Sequence, residues 1–429
     1  MGSSFCLGNS DCKYIIITSF SKKTINSLEK KFKKYRFYKY PFIVNVQKII
    51  FSIYRCLITA KNFDKKKDKS MHIIRERLNN NYQSIYKEHY FANTFIFKFL
   101  SKNLFFFTIS KIILELILYI SSINYIYLII KYNPRKVFFA HAHTNIDKGL
   151  FYLCRILKIK TYALISSWDN LTSKTFLPIK YDKIFVWNKI IEEEAIKKGY
   201  NPNNIQVIGI PQYDIFKNFI PKKYNFFIQN KIKNNYKIIT YMSASKVIYV
   251  NKDHLKILDS LVNLVKKNKN WILIVRAHPN EQHIYNNYCF PDRVFLNSPS
   301  PIQINNTTKI NINEFVDYEY CSILKKSDVI ITMASTTNLE ALFYKKPIIN
   351  INFFNKKSLN LNYNLEHYQK LKEFNAIPIL SNISQVEKII KFYFKKKTFK
   401  RKERIEARNT FIGNFNPNSG LLIKKYLEK

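Results

Sequence analysis

Short apolar runs of four to six residues alternate with stretches in which apolar positions recur every three to four residues, a pattern that predicts strands and helices by turns. In the first half, Tyr14–Thr18 reads as a strand and Lys22–Lys34 as a helix. The pattern then loses its regularity through a charged loop, Asn62–Asp68, and a Tyr- and Phe-rich helical region, Met71–Phe99. Beyond Asn133-Pro134 it predicts strand 137–140, helix 148–158, strand 161–165, strand 182–186, helix 189–198 closed by Gly199, and strand 205–208. Ile210–Asn235 holds two prolines and little periodicity, and reads as a linker. The alternation restarts with strand 238–242, helix 252–268, strand 271–275, helix 319–325, strand 329–332, helix 337–344 and strand 347–351. Two such winds predict an α/β protein of two Rossmann-like domains with parallel sheets, 1–215 and 236–412, the first carrying a helical insert at about 71–132.

Leu104–Tyr132 stands out as LFFFTISKIILELILYISSINYIYLIIKY. It is long enough to cross a bilayer, yet it holds Asn124 and the pair Lys111 and Glu115, which share one helical face. Charges are disfavoured inside a span, so the reading is a buried or interfacial helix. Lys102, Lys111 and the aromatic run Phe105–Phe107 suit the edge of an anionic membrane, and peripheral contact with one is expected.

Charge adds less than its size suggests. The net +42 comes from 71 basic against 29 acidic residues, and all but eleven of the basic ones are Lys. Such a field attracts any polyanion, but an excess of Lys with Asn, Ile, Tyr and Phe is also what compositional drift in an A/T-rich genome produces. No RNA- or DNA-binding motif is present and the aromatics are not interleaved with Arg, so no specific nucleic-acid partner is expected. The cysteines, Cys6, Cys12, Cys56, Cys154, Cys289 and Cys321, lie scattered without zinc spacing, which predicts reduced thiols in a cytosol. MGSSFCLGNSDCKYIIITSF lacks a basic region before an apolar stretch, and Cys6 stands where a myristoylation pattern needs Ser or Thr.

Ligands of open parallel sheets bind beyond the carboxyl ends of strands, so four loops carry the candidate chemistry. In RAHPNE, Arg276 and His278 can hold a phosphate with Pro279 fixing the turn, or His278 is a satisfied core histidine. In MASTTNLEAL, Ser335, Thr336 and Thr337 fall at a strand-to-helix junction, where free N–H groups favour an anion. Glu340 can accept from a ribose hydroxyl or form a capping box with Thr337. In SSWDNLTSK, Asp169 is a candidate general base for an acceptor hydroxyl, or an Asx turn or helix cap. In AHAHTNIDKG, His141, His143 and Asp147 can serve as acid and base or line a wall, and without a further ligand nearby the His-x-His predicts no metal.

RAHP, with SDVIITMASTTNLEALFYKKPIINI downstream, resembles the donor-binding half of GT-B-type transferases, in particular the CDP-glycerol glycerophosphotransferases and UDP-N-acetylglucosamine 2-epimerases. The likeness covers Lys237–Ile351. It implies two Rossmann-like domains facing a central cleft, a donor diphosphate gripped by His278, Ser335 and Thr336, and a ribose bound by Glu340. The glycerophosphotransferases carry a histidine where Trp168-Asp169 stands here, which counts against glycerol phosphate transfer. Val186–Asp214 resembles the end of the first domain in a wider group of surface-carbohydrate proteins. The epimerases have an acidic loop near this chain's Asp147, which keeps His143 and Asp147 as second candidates for catalysis. In GT-B proteins the last helix often crosses back to the first domain, and residues 413–429 are expected to do so.

These features together predict a cytoplasmic transferase without metal or cofactor, moving a sugar from a nucleotide-activated donor to a glycan or lipid-linked acceptor in surface polysaccharide synthesis. Glycerophosphotransferase and 2-epimerase activities are the alternatives on the same fold, although the chain lacks the Gly-rich turns an epimerase leads one to expect. A basic, non-catalytic polyanion- or membrane-binding protein is the alternative of a different class.

Overall fold

The structure, a computed structural model, describes residues 3–7, 14–18, 22–31, 33, 35–39, 44–79, 87–145, 147–217, 226–244, 251–279, 281–298, 318–354, 356–396, 398–413 and 418–428. It divides into two compact units, the first holding the chain through Pro211 together with the segment from Asn418, the second beginning at Gln212.

The first unit contains a seven-stranded sheet of β1 (Ser3–Leu7), β2 (Tyr14–Thr18), β3 (Tyr35–Lys39), β4 (Lys136–Phe139), β5 (Lys160–Leu164), β6 (Lys183–Val186) and β7 (Ile205–Val207), in the order β3-β2-β1-β4-β5-β6-β7. Its wholly parallel expectation needs one correction: β1 runs antiparallel to both β2 and β4. Too few residues separate Leu7 from Tyr14 for a crossover, so these strands can pair only antiparallel. From β4 onward every pair is parallel, and the buried Val137, Phe138 and Phe139 or Ile184, Phe185 and Val186 show why these runs are apolar without alternation.

Its helices are α1 (Lys22–Lys31), α2 (Val44–Asn62), α3 (Lys69–Asn79), α4 (Lys87–Ala92), α5 (Phe95–Lys102), α6 (Leu104–Ser121), α7 (Ile126–Tyr132), α8 (Lys148–Ile156), α9 (Asn170–Ser173) and α10 (Lys189–Lys197). The helical insert thus starts at Val44 rather than near 71. Helix α2 escapes a search for amphipathic period because its faces are mixed: Phe51, Tyr54 and Leu57 are buried with the polar Gln47, Arg55 and Thr59, while Val46, Ile49 and Ile53 are exposed. It packs against α4, α5, α6 and α8. At its approach to α8 the Gln47 amide lies over Gly149, where an added Cβ would fall 2.3 Å from Gln47 Nε2 and displace that side chain. Leu104–Tyr132 is interrupted by a 3-10 turn, Ser122–Tyr125, and its outer face is exposed, so the buried alternative for this segment does not hold.

The second unit is a six-stranded, all-parallel sheet of β8 (Lys237–Met242), β9 (Trp271–Arg276), β10 (Val294–Asn297), β11 (Val329–Thr332), β12 (Ile348–Ile351) and β13 (Ile379–Leu380), in the order β10-β9-β8-β11-β12-β13. Helices α11 (Asp214–Lys217), α12 (Phe226–Gln229), α13 (Asn251–Lys267), α14 (Tyr318–Lys326), α15 (Thr337–Phe343), α16 (Lys356–Tyr363), α17 (Glu366–Glu373), α18 (Ile383–Lys395) and α19 (Arg401–Phe411) accompany it. In α13, Ile257, Leu258, Leu261, Val262 and Val265 are buried at helical spacing, which is the signal that made this helix readable.

The last helix, α20 (Ser419–Glu428), belongs to the first unit. Ile423 and Leu427 join Phe138, Leu164, Phe185 and Ile208 in one cluster, each such burial contributing about 2 kcal/mol. Tyr426 donates to Gln206 Oε1 at 2.5 Å. Gly209, at φ +87°, lies where any Cβ would meet Ser419 Oγ at 2.6 Å, so the seat of α20 requires glycine on both counts.

Candidate active site

In the second unit the chain leaves β8 towards β9 and β10, and leaves β11 towards β12 and β13 on the other side, so the winding reverses between β8 and β11. A parallel sheet offers its ligand crevice at the carboxyl ends beside such a reversal. Ser243 follows β8, His278 follows β9, and Met333 to Thr336 follow β11. Ser243 Oγ accepts from the His278 backbone N–H at 2.8 Å, which joins the first two turns and leaves the imidazole out of this bond. Burial holds the His278 imidazole below its ordinary pKa against the opposite pull of Glu281, so at neutral pH the ring is uncharged and keeps one N–H to donate. Next to it, burial pushes His254 down to about 4, opposed by Glu281 and assisted by His278.

The turn after β11 is fixed by its own side chains. Ser335 Oγ accepts from the Thr337 N–H at 3.3 Å and lies 3.1 Å from Thr337 Oγ1, while Asn338 Nδ2 donates to the Met333 carbonyl at 2.9 Å. Thr336 is exposed and Ser335 and Thr337 are half-buried, so their polar groups remain open to a ligand. The capping box expected between Thr337 and Glu340 is not formed, because the Glu340 carboxylate accepts from the Tyr320 hydroxyl on α14 instead. Burial raises the Glu340 carboxyl, and the Tyr320 hydroxyl and the Arg276 charge act the other way. Arg276 is buried at the end of β9, its guanidinium 5.0 Å from the Tyr320 ring centre and its Nη1 donating to Asn297 Oδ1. Asn297 Nδ2 in turn donates to Glu319 at 2.9 Å. Arg276 therefore supports the Glu340–Tyr320 pair, whereas His278 and Ser335–Thr337 sit on the strand-end turns. Ser243, the first polar residue after β8, was findable by the same post-strand rule. Tyr320 and Asn297 left no local signal, since both act through tertiary contacts. A cavity of about 290 Å³ lined by Lys237, Lys346 and Arg401 lies at the opposite, amino ends of β8, β11 and β12.

In the first unit the loops after β4 and β5 are held by the helical insert. Arg55 of α2 donates to the His143 carbonyl at 3.2 Å, to Asn145 Oδ1 at 2.8 Å and to the Thr175 carbonyl at 3.3 Å, and pairs with Glu88 of α4 at 3.1 Å. Glu88 also accepts from Asn145 at 2.5 Å and from Thr175 at 2.8 Å. Burial pushes Glu88 up, but Arg55 and these donors outweigh it and hold the carboxyl below its usual range. His89 Nε2 and the Ser173 carbonyl are 2.9 Å apart, and burial lowers this imidazole to about 4.

The catalytic candidates on these loops fare differently. His143 is buried, and desolvation together with Arg55, Lys174 and Lys148 holds its pKa well below the ordinary value. Asp147, at φ 65°, is buried 3.5 Å from the buried Lys148 ammonium, which also donates to Tyr181 at 2.9 Å. Asp169 is half-buried; its side chain accepts from the Ser167 hydroxyl and makes no cap bond to α9. Burial lowers Lys174, with Asp169 opposing the shift. His143 and Lys174 share a small cavity of about 30 Å³. Among the described residues, no group of three or more His, Cys, Asp or Glu is placed to hold a metal ion.

The two sheets, their order and their reversal point define a GT-B-like α/β protein. The solved structures it is similar to include a putative UDP-N-acetylglucosamine 2-epimerase from Listeria monocytogenes, with a TM-score of 0.52 at 14% identity over 73% of this chain and 80% of that one. The S. aureus MnaA–UDP co-structure matches with a TM-score of 0.50 at 14% identity, over 72% of this chain and 78% of that one. No protein-family model and no curated protein matches the sequence.

Proposed function

We propose that the second unit binds the diphosphate and ribose of a nucleotide-activated donor, and that the chain is a transferase moving a sugar from it to a glycan or lipid-linked acceptor in surface polysaccharide synthesis. The observation that carries this reading is the set of groups at the strand ends: neutral His278 tied to Ser243, the open Ser335–Thr337 turn, and Glu340 with its Tyr320 partner. An imidazole N–H, hydroxyls and free backbone N–H groups stabilise a departing diphosphate without a metal. Glu340 accepts from ribose hydroxyls. Fold likeness to a protein solved with UDP supports nucleotide binding. Asp169 takes the acceptor proton on this reading, because the cations around His143 and the buried pairing of Asp147 make those two poor bases. A cytoplasmic location goes with a nucleotide donor.

Thermal melting of the purified protein with a panel of nucleotides and nucleotide sugars tests the reading. UDP or CDP raises the midpoint, and His278→Ala or Glu340→Ala removes the shift; no response to any nucleotide overturns it. Asp169→Asn keeps the shift and loses turnover. A second reading, 2-epimerisation of a UDP-sugar, is supported by what the named neighbours are. Conversion of UDP-N-acetylglucosamine in the absence of any acceptor, followed by NMR, would put that activity in place of transfer.

A further inference from the structure

We propose that the exposed apolar face of α2 and α4–α7 is a docking surface for an anionic phospholipid bilayer, lying in the plane of the interface rather than crossing it. The inference stands independently of the nucleotide site.

Helix α6 is amphipathic in the inverse sense to a helix of a water-bounded domain. Polar groups towards its C-terminal end turn inward: Glu115 accepts from the Tyr54 hydroxyl of α2 at 2.6 Å, the Ser121 carbonyl accepts from Gln47 Nε2 at 2.8 Å, and Ser121 and the following Ser122 are buried, while the exposed Thr108 hydroxyl donates to the Leu104 carbonyl of its own helix. Its large apolar side chains turn outward, with Leu104 70%, Phe105 67% and Ile112 57% exposed. The surface continues through Phe95 and Ile96 on α5, Ile49 on α2, and Tyr127 and Ile130 on α7. Helices α2, α5 and α6 pack on one another, and α7 packs on the turn that follows α6, so these exposed side chains are carried by one connected group of helices. Soluble monomers rarely carry an apolar patch so extended without something to cover it.

Charge selects the cover. Between Tyr90 and Lys131 the only acidic residue is Glu115, and it faces Tyr54. Lys98, Lys102 and Lys131 are exposed beside the patch, and the Lys61 ammonium sits 5.4 Å from the Phe107 ring centre. Phe and Leu in the acyl boundary with Lys at headgroup level is the arrangement that binds an anionic interface. A second copy of this +42 chain would instead bring two lysine rims together. A crossing would require α6 to give up the bonds from Tyr54 and Gln47, leaving Glu115 in hydrocarbon.

Flotation of the full chain with vesicles of phosphatidylcholine, with and without phosphatidylglycerol, tests the proposal. The protein floats with the phosphatidylglycerol vesicles and stays behind with phosphatidylcholine alone. The triple variant Phe105→Ser, Ile112→Ser, Leu116→Ser lowers the bound fraction by roughly tenfold or more while keeping a cooperative melt. Lys98→Glu with Lys102→Glu lowers it on anionic vesicles only. Failure of the unaltered chain to float with either vesicle overturns the proposal, whatever the variants do. So does a concentration-dependent dimer in light scattering that the triple variant abolishes, since a second copy then covers the face. Retention in cell membranes through alkaline carbonate overturns the in-plane geometry.

Discussion

The two units present strand-end loops of similar sequence character, yet hold them in different ways. After β4 and β5, the loops are clamped by Arg55 and Glu88, charged groups sent from helices far away in the chain, with Lys148 and His143 sunk beside them. After β8, β9 and β11, the turns are held by one bond from the His278 backbone to Ser243 and another from the Thr337 backbone to Ser335, and their hydroxyls and imidazole stay half open. Polar groups buried together with their partners are unavailable to a ligand, whereas those left half-exposed on a fixed turn keep unused acceptor or donor capacity and are preorganised for one. The second unit's strand ends therefore carry the donor reading, and much of the polar chemistry in the first unit is scaffold.

Arg55→Met is the most severe test of that contrast. It leaves the partly buried Glu88 with only Asn145 and Thr175 as donors and should cost about 3 kcal/mol in urea unfolding, with Arg55→Met, Glu88→Leu recovering much of the loss. A cost below 1 kcal/mol would mean that the insert does not clamp these loops.

Acid should act on both regions alike. Burial lowers His89 and His254 from 6.5 to about 4, so each is neutral in the fold while the unfolded chain takes up its proton first as pH falls. Their contribution is complete above pH 6.5 and is lost on the way down to about pH 4, by up to ~3 kcal/mol each. Phenylalanine at either position should flatten that part of a stability-versus-pH curve. A curve unchanged by both variants would place the acid sensitivity elsewhere.

The smallest effect is expected at Tyr320→Phe, which removes the donor to the Glu340 carboxylate and should cost about 1–3 kcal/mol. It should also weaken nucleotide binding more at pH 5.5 than at pH 8, because a carboxyl already raised by burial loses a bond that favours its charged form. Equal weakening at both pH values would limit Tyr320 to a packing role.

Much of this protein could be read along the chain, and the reason is local. Buried parallel strands such as Val329–Thr332 are short apolar runs, helices such as α13 repeat their apolar positions at helical spacing, and the turn chemistry of RAHP and MASTT lies beside the strands that present it. Other features needed three dimensions. Helix α2 mixes buried Gln47, Arg55 and Thr59 with exposed Val46, Ile49 and Ile53, which blurs its period, and β1, SSFCL, is not an apolar run, so nothing local announces its antiparallel partners. Glu340 could be read as a cap until Tyr320, on another helix, claimed its carboxylate. The segment Leu104–Tyr132 shows the division most plainly. Its composition established that it is apolar enough to meet lipid, but which way its few polar groups point was decided by Tyr54 and Gln47 of α2, because those bonds form only after the helices have packed.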